Sequence, residues 1–198
     1  MQKFKTLEVQ KKGKKHQIKV TYNKDEVSKE GNVWGTEYSK KTNQFLSQQL
    51  SDNILSLVPH LLWSTELISE DLSLDGDLDY PKWFKENKFL DDTRFENVEL
   101  TKIQFIGKEQ LDAVKLFGYK KTTKVGKGFK VKIESPVINL DRTKEDAYAL
   151  VSIIEAQLSD LEYSLEKYLE DGHTLTKAQQ ASLFEQIDAE AKNQKVEA

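Results

Sequence analysis

The chain of 198 residues contains no cysteine. That excludes disulfides, thiol nucleophiles and cysteine-held zinc or iron–sulfur centres, and it fits a reducing compartment. There are three histidines, His16, His60 and His173. They are far apart, none belongs to a His-x-x-x-His pair, and no nucleophile elbow accompanies them. Gly126-Lys127-Gly128 lacks the first glycine and the Gly-Lys-Ser/Thr end of a phosphate loop. No long hydrophobic run is present. The longest mostly apolar stretch, Ile54 to Trp63, contains Ser56, Pro59 and His60 and is too short to span a bilayer. The first five residues, Met1-Gln2-Lys3-Phe4-Lys5, show no apolar leader segment. These absences predict an intracellular, cytoplasmic protein that binds rather than catalyses, with no cofactor and no metal. Repeats of solenoid period are also lacking.

What is present is charge, segregated along the chain. The net charge is −3, but residues 1–41 carry eleven lysines against five acids, and residues 101–140 carry nine lysines against three. Between and after them, residues 42–100 and 141–198 are acidic, with four basic residues against twelve acids and six against thirteen. Local fields decide partners more than the total does. Nine Phe, seven Tyr and three Trp supply core material, which argues against general disorder.

Periodicity predicts an α+β fold, a mainly antiparallel sheet packed against two or three helices. Phe4, Leu7 and Val9, then Ile18, Val20 and Tyr22, have strand spacing around the basic turn Lys11–Lys15. Residues 23–32 read as a loop and Val33 to Tyr38 as a short strand. Thr42 or Asn43 is placed to cap a helix carrying Leu46, Leu50, Ile54, Leu57 and Val58, which Pro59 ends or kinks. Leu61 to Ile68 reads equally as helix or strand. Residues 69–94 are acidic and irregular, with Trp83 and Phe84 as anchors. Val98 to Phe105 reads as a strand and Lys108 to Val114 as a helical turn or short helix. Lys115–Lys124 and Phe129–Ile138 form a hairpin, with Ser135-Pro136 marking an edge strand or bulge. Thr143-Lys-Glu-Asp146 has the form of a capping box. Ala147, Val151, Ile154, Leu158, Leu161, Leu165 and Tyr168 then make one apolar stripe of a long helix ending at Gly172. That stripe suits packing on the chain's own sheet or a homodimer seam. The predicted domain is 1–172, with 173–198 a further helix or a tail.

Two lysine clusters carry the functional expectation. Lys11, Lys12, Lys14 and Lys15 mark the first hairpin; Lys120, Lys121, Lys124, Lys127 and Lys130, with Phe129, mark the second. Lysines that follow phosphates beside aromatic faces that stack on bases describe a surface for single-stranded nucleic acid. The other reading is a solvated sheet face with its edges protected by lysine. Phe117 and Tyr119, two residues apart, share one strand face under either. Asp75, Asp77, Asp79 and Glu86 follow a calcium-loop spacing, but Tyr80 occupies the hinge glycine's place, so a solvated loop is the better reading.

Gln180-Ala181-Ser182-Leu183-Phe184 resembles the peptide by which bacterial and phage proteins dock on the replicative sliding clamp. Gln180 would hydrogen-bond at the pocket rim, with Leu183 and Phe184 in the pocket. A buried helical stripe through Leu183, Phe184 and Ile187 is the alternative. The order of basic hairpin, Ser135-Pro136-Val137-Ile138-Asn139-Leu140, long helix ending Tyr168-Leu169-Glu170-Asp171-Gly172, and Gln-x-x-Leu-Phe resembles small uncharacterised bacteriophage proteins, often encoded near replication or recombination genes. The resemblance covers about residues 97–186. It implies a context, phage-type DNA metabolism in a bacterial cytoplasm. The expected function is a non-enzymatic, single-strand-binding accessory. The alternative is a protein–protein or virion assembly module, or an inhibitor of a host factor, in which the segregated charge drives homo-oligomer contacts.

Overall fold

In the computed structural model the described residues are 2–12, 15–27, 33–44, 46–68, 95, 97–107, 111–122 and 129–170. They fall into two compact units, Met1–Leu165 and Glu166–Ala198. The first holds the sheet and helices; the second contributes residues 166–170, the end of a helix. The acidic stretch 69–94, the glycines 126 and 128, Gly172 and all of 173–198 lie outside the described residues.

The fold is α+β. Its antiparallel sheet comprises β1 (Gln2–Lys12), β2 (Lys15–Val27), β3 (Val33–Gln44), β4 (Val98–Ile106), β5 (Ala113–Lys121), β6 (Lys130–Glu134) and β7 (Ile138–Asn139). The order is β3-β2-β1-β4-β5-β6, and β7 also pairs with β5. The irregular hydrophobic spacing of two strands has a physical cause. The β1–β2 register shifts between Phe4 and Thr6, and the β4–β5 register between Leu100 and Lys102. Lys5 and Thr101 are the extra residues of these bulges. Each inverts the alternation, so Phe4 and Leu7, like Leu100 and Ile103, face the same core although three apart.

Five expectations are corrected. Residues 23–27 continue β2, and β3 runs to Gln44, so Thr42 and Asn43 are strand residues and cap no helix. Of the helical turn expected over Lys108 to Val114, the described residues 111–114 are not helical: β5 starts at Ala113, and Asp112 N–H donates to the Ile106 carbonyl at 2.8 Å, while 108–110 lie outside the described residues. Pro59 does not end a helix but sits in the first turn of a second one, where its missing N–H goes unneeded. The long helix starts at Val151, past the Thr143–Asp146 signal.

Among the described residues the helices are α1 (Gln48–Leu55), α2 (Val58–Ser64) and α3 (Val151–Glu170). Ser47 caps α1, its Oγ accepting the Leu50 N–H at 3.2 Å. Residues 141–150 form consecutive turns instead of helix. Asp141 accepts from the Thr143 N–H at 3.0 Å and the Thr143 hydroxyl at 2.6 Å. The Tyr148 N–H is held by the Asn139 carbonyl at 2.9 Å. That ladder to β7 ties the segment to the sheet and delays the helix.

Alternate residues of β4 and β5 are buried on the side where α2 packs. Leu7, Ile18, Ile103 and Leu116 of the sheet, Leu50, Leu57, Leu61 and Leu62 of the first two helices and the turn between them, and Ile154, Leu158, Leu161 and Leu165 of α3 are all under 2% exposed. Burying each such side chain contributes about 2 kcal/mol. The α3 stripe is thus covered, over Val151–Leu165, within its own chain. Asn53 links α1 to α3, donating to the Asp160 carbonyl at 2.9 Å and the Ser164 hydroxyl at 3.2 Å. At Gly118 α2 comes close to the sheet. A Cβ there would lie 2.7 Å from Leu61 Cδ2 and 2.6 Å from the Glu99 carbonyl oxygen. Among the described residues no helix is long and apolar enough to cross a membrane.

Candidate nucleic-acid interface

Because alternate residues of β4 and β5 are buried toward the helices, the intervening ones form the sheet's more open face. Phe117 and Tyr119 of β5 lie on it, as their spacing requires. In register, Phe117 stands between Lys102 of β4 and Glu134 of β6, and Tyr119 between Glu99 and Lys132. Each ring is therefore flanked by one base and one acid. Lys102 Nζ sits 5.2 Å and Lys115 Nζ 5.5 Å from the Phe117 centroid, and Lys130 Nζ 5.8 Å from that of Tyr119. These are cation–π distances.

Two glutamates organise the lysines. Glu99 accepts Lys121 at 2.5 Å and Lys130 at 3.0 Å. Glu134 accepts Lys115 at 2.7 Å and Lys132 at 3.2 Å. The Lys121 hydrogen bond holds the Glu99 carboxyl below its usual range, with Lys130 adding to it. Lys115, then Lys132, does the same for Glu134. Among the described residues, five lysines against two carboxylates make the patch positive. Exposed ion pairs of this kind contribute little to stability, so the arrangement is cheap to open.

The lysines expected from sequence are dispersed in an informative way. Lys121 and Lys130 meet on Glu99. Lys120 does not join them: it pairs in register with Val98 and Val131, whose parity places it on the helix side, half-buried. Phe129, just before β6, is 52% exposed. Lys11, Lys12 and Lys15 sit at the closed end of the β1–β2 ladder, where Lys11 pairs with His16 and Lys12 with Lys15. Lys14, Lys124 and Lys127 lie outside the described residues, as do Gln180, Leu183 and Phe184.

Strand register nonetheless relates the two clusters. Glu8 of β1 lies opposite Lys102 of β4, and β4 runs antiparallel to both β1 and β5. The Lys12–Lys15 end of the first hairpin and the Lys121–Lys130 end of the second are therefore at the same end of the sheet. Lys102, Lys115, Glu99 and Glu134 were not singled out by sequence reasoning. Their signal was the alternation of β4 and β5, obscured by the bulge at Thr101.

A second feature is an open cleft of about 640 Å³ on the helix side. Trp63, Val137 and Tyr148 line it, with Glu66 and Asp146 among its polar groups. Behind Tyr148 lies His60, fully buried. Its Nε2–H donates to Gln157 Oε1 at 2.8 Å, and its Nδ1 accepts from the Tyr148 hydroxyl at 3.0 Å. Burial lowers the His60 pKa to about 3, against a smaller opposing effect of the Gln157 hydrogen bond. Burial raises that of the Tyr148 phenol. A neutral imidazole with both nitrogens engaged fastens α2 to α3. Among the described residues no group of three His, Asp or Glu side chains is placed to hold a metal. No protein-family model, curated protein or solved structure matches the chain.

Proposed function

We propose that the chain is a non-catalytic binding protein for single-stranded nucleic acid, acting through the open face of β4–β6, in the phage-type DNA metabolism that the sequence resemblance implies. The observation that carries this reading is the pairing of Phe117 and Tyr119 within a cluster of five lysines. Residues two apart on a strand are separated by about 6.8 Å, twice the ~3.4 Å rise of a stacked strand. An unstacked single strand can lay successive bases on both rings, whereas a duplex keeps its bases inside. Lys102, Lys115 and Lys130 now cover the rings. On binding they would exchange ring and carboxylate for phosphate, with release of counterions. The basic hairpin ends extend the same path.

The test is fluorescence anisotropy of labelled single-stranded and duplex DNA across a salt series. The reading expects preference for the single strand, steep weakening with salt, and loss of binding when Lys121, Lys124 and Lys127 are replaced by Glu. Absence of binding at low salt overturns it.

A further inference from the structure

The two ends of the strand order differ in how they are protected. At one edge β6 is 5 residues long and stops before Pro136. Such brevity and such a proline guard an edge against pairing. At the other edge β3 runs for 12 residues, Val33–Gln44, without a proline. It pairs with β2 along its full length on one side. Among the described residues no strand pairs with its other side. We propose that this edge is a homodimer surface, on which β3 pairs antiparallel with β3 of a second copy around Ser39.

Symmetry and charge together select the register. A two-fold axis perpendicular to the sheet keeps each residue on its own face, so opposed residues must have the same parity. Centring on Glu37 opposes two carboxylates. Centring on Lys40 or Lys41 opposes two ammonium groups. Centring on Tyr38 sets Glu37 against Ser39 and leaves the charges unmatched. Centring on Ser39 sets Glu37 of each copy against Lys41 of the other, twice over. Opposite charges directly across an antiparallel pair stabilise it, and like charges destabilise it.

The surroundings of both residues agree. Inside the chain Lys41 lies opposite another lysine, Lys19, which reaches instead toward Glu8 at 4.0 Å. Lys41 is exposed and has no ion-pair partner among the described residues. Glu37 is 58% exposed and bonds Lys5 through Oε2, leaving Oε1 for a second cation. The edge thus holds a carboxylate and an ammonium four residues apart, on one face, with a free valence each. The partner that complements this is the same edge turned around.

Sedimentation velocity of the full chain over a concentration series at low salt tests it. A monomer–dimer equilibrium is expected. Lys41→Glu should weaken the dimer about tenfold, since both cross-strand pairs turn repulsive. It should not harm the fold, because it faces Lys19. Adding Glu37→Lys restores opposite charges and should restore the dimer, with circular dichroism confirming retained sheet. A monomer at every concentration overturns the proposal. So does a dimer indifferent to Lys41→Glu, or one that the double exchange fails to rescue.

Discussion

The two faces of the sheet are built from the same strands, residue by residue in alternation, yet they obey different rules. On the helix side Leu116 and Gly118 alternate with Phe117 and Tyr119 on the open side. The helix side is close-packed, so an added or deleted atom there changes stability. The open side consists of long charged side chains whose ion pairs lie in solvent, so changes there alter the field and hardly the fold. The protein can thus vary its open face without endangering its core.

The largest effect should come from the helix side, at His60. His60→Ala removes a buried ring and strands the Tyr148 hydroxyl, and should cost about 4 kcal/mol in denaturant unfolding. Next is Gly118→Ala. Its Cβ meets a backbone oxygen and Leu61 at under 3 Å, and about 3 kcal/mol is expected from the overpacking. A smaller effect is the pH dependence of the same core. The folded pKa of His60, about 3, is depressed below the unfolded value of about 6.5. The unfolded chain therefore binds the proton first. The stabilisation from neutral His60 is fully present above the unfolded pKa and is lost as pH falls toward the folded one. Between about pH 7 and pH 5 it should fall by about 2 kcal/mol, and this slope should vanish in His60→Gln. Smallest in stability are open-face changes. Glu99→Gln should move unfolding by under about 0.5 kcal/mol, while freeing Lys121 and Lys130 should tighten single-strand binding about threefold at low salt. A large loss of stability from Glu99→Gln would break the contrast between the faces.

Much of the architecture was legible in sequence where one face is buried. Ile18 and Val20, Ile133, and the stripe from Val151 to Leu165 all carry the expected period. Where no face is buried, the pattern disappears. β3 beyond Tyr38 reads Ser-Lys-Lys-Thr-Asn-Gln, polar on both sides because it is an edge strand, and it resembled a helix entry. The Thr143–Asp146 signal failed for another reason: capping is a local preference of about 1 kcal/mol. The Tyr148 bonds to Asn139 and His60 outweigh it. The candidate site was half legible. The lysines and the shared face of Phe117 and Tyr119 could be read, but not the division of Lys120 from Lys121 or the glutamates that hold the lysines in pairs.

The sequence by itself determined the α+β class, the segregation of charge, the exclusion of thiol chemistry and the hydrophobic face of each buried element, because these follow from composition and from periods of 2 and 3.6 residues. Only the tertiary structure decided which strands are neighbours, that both basic hairpin ends lie at one end of the sheet, and that Glu99 and Glu134 each bridge two lysines. Those facts depend on strand order and register. They are fixed by the sum of many weak packing contacts between residues distant in sequence, and no single segment encodes such a sum.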